Sequence, residues 1–464
     1  MKHDLRTAAA FRREFSDWRM WLARAVVIAV AAAAGLTVVG FTWLTERALE
    51  TFFALRVNWW WAPLLWTPLC TGAIVWLTRR YVPGAAGSGI PQVMAALDPS
   101  VDAKDRGLFV SIKLTAAKIA LTAWGLLAGL SLGREGPSVQ IAAGVMHGAK
   151  RWLPKRSAVT EHGLLVAGGA AGIAAAFNTP LGGVMFAIEE LSRAPEQRSS
   201  GLIISGIVLA GLVAVSVYGN GTYFGVIHVP AVGVELLWPG LLVALASGVA
   251  GGLFARLLIA SLSGGVADAP SRWRRKRPVA FAVGCGLAVA IIGVVTHGAT
   301  FGSGYAYTRA MLEGQENVPA VYVLFKFVAT WLTAWSGVPA GIFAPSLAIG
   351  AALGNDVALL TSYPHAATLI ALGMAGFLAA ATQAPLTSFI IVMEMVDGHA
   401  MVLSLMACAL IANGVSKMLS RPLYSTLARN QLDRLPDRPE EVMGPPPPVL
   451  QEVPRECPGD AARN

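Results

Sequence analysis

The stretch GREGPSVQI, Gly133–Ile141, decides how this chain is read, because GIFAPSLAI, Gly341–Ile349, repeats its pattern 208 residues on. Glycine, proline, serine and isoleucine stand at matching positions in the two stretches. Downstream, Ala174–Ala176 with Pro180, Leu181 and Glu189 is echoed by Ala379–Ala381 with Pro385, Leu386 and Glu394, at an offset of 205 residues. Blocks in the same order at nearly the same offset indicate an internal duplication. Pattern alone leaves open whether the copies run parallel or inverted. Short apolar segments interrupted by Gly and Pro at matching positions of two halves point to a site at the repeat interface.

The setting of these blocks is a membrane. Of 464 residues, 55% are hydrophobic and 14% charged, against about 25% charged in a soluble domain. Apolar runs cover 25–44, 202–218, 236–255, 279–296, 318–336 and 401–415. Several reach the roughly 18–20 residues that cross a bilayer core as helix. The fold expected is therefore all-α and polytopic. The formal net charge of +9 is no sign of nucleic acid, since the basic residues flank apolar runs. The cluster Arg272–Arg277 lies between two such runs and reads as a cytoplasmic loop.

Residues 1–23 read as a basic amphipathic lead-in, with Phe11, Phe15, Trp18 and Leu22 at helical spacing among Arg12, Arg13 and Arg19. The transport body is placed at 24–430, with repeat halves near 24–220 and 230–430. A Pro-rich cytoplasmic tail expected to be disordered occupies 431–464. The cysteines Cys70, Cys285, Cys408 and Cys457 have no ligand spacing, so neither a disulfide framework nor a metal is expected. No cofactor is expected either. The histidines show no spacing suited to a nucleophile–base pair, which argues against an enzyme.

Chemistry is carried by the breaks. Gly87–Pro91 (GSGIP), Gly133–Pro137, Gly341–Pro345 and Pro422–Tyr424 each interrupt the apolar body and each opens a helix. Proline in a first turn loses nothing by lacking an N–H, and a helix N-terminus offers unpaired donors and partial positive charge to an anion. Several such ends meeting at one point could hold an anion without a full positive charge, weakly enough for release. Glu135 sits inside one break, while Glu189 and Glu190 close an apolar run. Ionisable groups at membrane depth are rare and mostly functional. Glu135 could occupy an anion position as a tethered competitor, and a carboxylate in apolar surroundings can carry a proton. Glu189 and Glu190 could also be an interfacial pair at a span end, and Glu394 reads as structural.

In this order GSGIP, GREGP and GIFAP resemble the signature motifs of the CLC chloride channel and transporter family. AAAFNTPLGGVMFAIEEL (Ala174–Leu191), APLTSFIIVMEMVD (Ala384–Asp397) and Pro422–Ser425 resemble family segments as well. The resemblance, covering about 25–430, implies an inverted repeat of tilted and broken helices. It also implies a homodimer with one anion pathway per subunit. Ser88 and Tyr424 would offer hydroxyls to a central anion, beside the N–H groups of Ile342 and Phe343. Glu135 would be the external gating glutamate, with Gly136 facing an outer anion. Glu190 would be the internal proton-transfer glutamate, Glu189 an accessory on the proton route, and Lys118 and Arg134 electrostatic support.

A glutamate at 190 implies exchange of chloride for protons; the alternatives are a passive voltage- or pH-gated chloride channel and an exporter of fluoride or another anion. Serine at 88 favours chloride and disfavours the fluoride branch. Gln92 departs from the glutamate of many relatives, which puts the electrostatics near the inner vestibule in doubt. The short tail suggests a prokaryotic protein of the inner (plasma) membrane, in contact with lipid, with both termini cytoplasmic.

Overall fold

The computed structural model describes residues 18–154, 159–192, 200–219, 221–226, 233–264, 268–315 and 319–435. Among these, the regular elements are helical, and an isolated antiparallel bridge joins Gly133 to Gly341. The expected all-α fold is therefore observed. The first half comprises α1 (Trp18–Asn58), α2 (Pro63–Tyr81), α3 (Ile90–Leu97), α4 (Ile112–Leu127), α5 (Glu135–Gly148), α6 (Glu161–Phe177), α7 (Pro180–Phe186) and α8 (Ser200–Tyr218). The second comprises α9 (Leu237–Ser263), α10 (Ala269–Lys276), α11 (Pro278–Val295), α12 (Tyr305–Leu312), α13 (Val321–Ser336), α14 (Phe343–Thr361), α15 (Ala366–Thr382), α16 (Pro385–Met395) and α17 (Val402–Leu419). Helix α18 (Leu423–Leu432) follows the second half.

Six segments of the described chain are long and apolar enough to cross a membrane by length and composition. Other apolar helices are shorter, including α6, α13 and α15. Short helices and broken backbone are tolerable at membrane depth only when protein surrounds them, and α15 is buried along nearly its whole length. The described part of the lead-in, Trp18 onward, forms the start of the 41-residue α1. The tail beyond 435 lies outside the described residues.

Small residues let the central helices touch. Helix α5 lies on α6, where a Cβ at Gly168 would come within 2.7 Å of the Ala143 Cα. Lipid tails are as apolar as leucine, so such close van der Waals contact is what holds helices together in a bilayer.

The halves are joined by reciprocal contacts. Glu189 accepts the N–H groups of Leu386 (3.1 Å) and Thr387 (2.7 Å) at the start of α16. Glu394 accepts those of Leu181 (3.2 Å) and Gly182 (2.7 Å) at the start of α7. Each half thus caps a helix of the other.

Candidate functional site

The site begins at the bridge. Gly133 N–H donates to the Gly341 carbonyl at 2.8 Å, and Gly341 N–H donates to the Gly133 carbonyl at 3.1 Å. The pairing is antiparallel, so the chain runs in opposite directions through the two breaks from which α5 and α14 start. The duplication is inverted, a point the sequence left open. Glycine is required here, since a Cβ at Gly341 would lie 2.7 Å from the Gly133 oxygen. Glu135 is the first residue of α5 and is wholly buried. Its Oε2 accepts the Ala344 N–H, in the first turn of α14, at 3.3 Å, while Oε1 has no partner. The carboxylate therefore occupies a place that helix dipole and free donors make favourable for an anion.

The loop before α3 forms the adjacent wall. Gly89, at φ 106°, caps α3 in a conformation suited to glycine. The fully buried Lys118 of α4 holds the loop by donating to the carbonyls of Ala85 (2.8 Å) and Gly87 (2.6 Å). Gln92 accepts the Gly89 N–H at 3.0 Å and donates to the Ala86 carbonyl. Its amide thus closes the loop upon itself. Ser88 packs against Gly136, where a Cβ would strike the serine Oγ.

Tyr424, at the start of α18, stacks on Phe343 with ring centres 6.1 Å apart. The hydroxyls of Ser88 and Tyr424 lie near one another, but not in hydrogen-bond geometry. Both are buried without a protein partner, and an unmet buried polar group costs about 1–3 kcal/mol. Beside Ile342, two unpaired hydroxyls are donors suited to an anion. They line a cavity of about 140 Å³ together with Gln92, Arg274 and Arg434.

The paired carboxylates part company. Both lie on a turn of π-helix, Ala187–Ser192, that extends α7, a distortion frequent at functional sites. Glu189 is engaged as the cap of α16. Glu190, 8% exposed, faces a second cavity of about 450 Å³, shared with His162, Asp98 and Arg429. Helix α18 separates the cavities. Tyr424, Leu427 and Gln431 face the Ser88 side, and Ser425, Ala428 and Arg429 face the Glu190 side.

Arg134 points to the opposite end of the site. One arm donates to Glu46 Oε1 at 2.7 Å, the other to the Tyr223 hydroxyl at 3.3 Å. Tyr223, Tyr305, Lys326 and Arg434 were not singled out from sequence, and Arg274 was read only as part of the basic cluster Arg272–Arg277. A faint signal existed for Tyr305 and Lys326. Gly302-Ser303-Gly304 repeats the start of GSGIP, and Lys326 lies 208 residues after Lys118, the offset of the duplicated breaks.

Comparison with known proteins gives a consistent result. The family model described as voltage gated chloride channel matches residues 70–417. A H(+)/Cl(-) exchange transporter ClcA from Salmonella paratyphi A is 31% identical over 372 residues, 77% of this chain and 76% of the relative. The same protein from Cronobacter sakazakii is 29% identical over 419 residues, 86% of this chain and 87% of the relative. A crystal structure of a slow cyanobacterial Cl-/H+ antiporter superposes with a TM-score of 0.75 at 24% identity, covering 88% of this chain and 98% of that one.

Proposed function

This chain belongs to the CLC voltage-gated chloride channel family, and from that premise we propose that it exchanges chloride for protons across a bacterial inner membrane. The observation that carries the proposal is the Glu135 carboxylate lodged at the N-terminus of α14, one oxygen on Ala344 N–H and the other unpaired. A side chain held there blocks the place an anion would take and leaves it when protonated. Chloride would bind between the Ser88 and Tyr424 hydroxyls and the N–H groups of Ile342 and Phe343, with Gly136 facing an outer position. The cavity bearing Arg274 and Arg434 would open to the cytoplasm and admit chloride. The cavity bearing Glu190 would admit protons, kept apart from chloride by α18.

Lys118 supports the anion indirectly in this reading, by holding the Ser88 loop. Glu189 supports the turn that carries Glu190, and Arg134 adds positive potential beside Glu135. Gln92 is occupied by its own loop and brings no charge to the chloride mouth. We further infer a homodimer with both termini cytoplasmic, for which the exposed apolar side chains Leu181, Ile188, Leu386, Leu403 and Leu410 on α7, its π-helical extension, α16 and α17 provide a face.

The test uses liposomes loaded with chloride and diluted into low chloride while external pH is recorded. Protons driven uphill by chloride, and lost in Glu190→Gln with chloride flux retained, support exchange. Chloride flux without proton movement in the unaltered protein makes it a channel. Repeating the assay with fluoride tests the remaining alternative.

A further inference from the structure

Opposite the cavities, the segment 221–226 between α8 and α9 lies across the Glu135 end of the site, pinned by contacts from both halves. Asn178 at the end of α6 donates to the Gly221 carbonyl at 3.0 Å. Phe224 N–H donates to the Met395 carbonyl at 3.0 Å. Tyr305, the first residue of α12, donates its hydroxyl to the Tyr223 carbonyl at 2.9 Å, with the two rings 5.0 Å apart. The Tyr223 ring also meets Phe177 edge-on at 5.7 Å.

The base of this chain of contacts is the mirror image of the chloride loop. Lys326 donates to the carbonyls of Thr300 (3.0 Å) and Gly302 (2.8 Å), as Lys118 does to Ala85 and Gly87. The second loop uses its serine differently. Ser303 Oγ accepts the Tyr305 N–H at 3.3 Å, which fixes the start of α12 and with it the Tyr305 hydroxyl. From there the chain runs through Tyr223 to Arg134, the neighbour of Glu135.

We propose that Tyr223, held by Tyr305, is a positioning residue for the gate: it fixes the Arg134 guanidinium relative to Glu135, and the mirror loop is its scaffold. The inference rests on the exchange reading above, which makes this the external side. Arg134 is long and charged, and the attraction between it and a carboxylate varies inversely with distance. A neighbouring cation favours the ionised carboxylate, so where Arg134 is held sets how readily an external proton releases Glu135. Among the described residues, Glu46 and Tyr218 also interact electrostatically with Arg134, and Tyr424 with Glu135. Glu46 already holds one arm of Arg134. Without the Tyr223 hydroxyl the other arm keeps only the face of the ring, 5.9 Å from the guanidinium carbon, and can swing toward the unpaired Oε1 of Glu135.

The experiment measures chloride turnover against external pH in liposomes for the unaltered protein, Tyr223→Phe and Tyr305→Phe. Tyr223→Phe should move the acid limb to lower pH by about half a unit or more, with the chloride-to-proton ratio retained. Tyr305→Phe should move it the same way by less. In a Glu135→Gln background, adding Tyr223→Phe should change nothing. A Tyr223→Phe profile that superimposes on that of the unaltered protein, or a shift that survives Glu135→Gln, overturns the proposal. If Tyr223→Phe fails to reconstitute, Tyr305→Phe decides alone, since it removes only the hydroxyl that holds the Tyr223 carbonyl. Failure of the exchange reading would show separately, as absence of coupled flux in the unaltered protein.

Discussion

The loops at Ser88 and Ser303 are copies of one device put to different uses. In both, a buried lysine, Lys118 or Lys326, spans two backbone carbonyls and holds a Gly-Ser-Gly turn. The Ser88 hydroxyl is left unpaired beside a cavity, whereas the Ser303 hydroxyl accepts the first N–H of α12. The same division holds elsewhere. Glu189 and Glu394 match across the repeat and cap one another's helices. Glu190 falls opposite Met395, and Glu135 opposite Phe343. Where the halves agree, the residues build the frame. Where they differ, in residue or in pairing, they line the site.

That division can be broken by substitution, beginning with the largest effect. Glu190→Gln should abolish proton movement while chloride flux and thermal stability in detergent stay near those of the unaltered protein. Simultaneous loss of stability would place Glu190 in the frame instead. Next, Lys118→Met and Lys326→Met should each leave a pair of buried carbonyls unpaired and destabilise by about 2–4 kcal/mol. Thermal unfolding should show similar losses, but chloride affinity by calorimetry should weaken mainly with Lys118→Met. Equal weakening in both would mean that the halves have not diverged in use.

A smaller effect is expected at the reciprocal caps. Glu189→Gln and Glu394→Gln should each lower stability by about 1 kcal/mol, the scale of a helix cap, and both should keep the chloride-to-proton ratio. Loss of coupling in Glu189→Gln alone would return that residue to the proton route. Smallest is the serine pair. Ser88→Ala should weaken chloride binding about fivefold, the worth of one hydrogen bond of about 1 kcal/mol, and Ser303→Ala should leave it unchanged.

Much of this was legible before any coordinates. The apolar runs gave the membrane class because a bilayer core sets helix length. The Gly/Pro breaks gave the helix starts, since proline fixes φ and suits a first turn; α5, α14 and α18 begin within two residues of Gly133, Gly341 and Pro422. Ser88, Glu135, Ile342, Phe343 and Tyr424 could be named from these breaks and the family they resemble. From Trp18 the described part of the lead-in is continuous with α1, and residues 1–17 lie outside the described residues.

The sequence by itself determined the class, the duplication and the residues at the breaks, because helix length, helix starts and repeats are local or linear properties. Only the tertiary structure decided that the copies are inverted, since direction is fixed by the antiparallel pairing of Gly133 with Gly341. It alone separated Glu189 from Glu190, neighbours of which the first caps α16 and the second lines a cavity. It alone brought Tyr223 to Arg134 and Tyr305 to Tyr223, because a hydrogen bond depends on distance in space and leaves no mark on the spacing of residues along a chain.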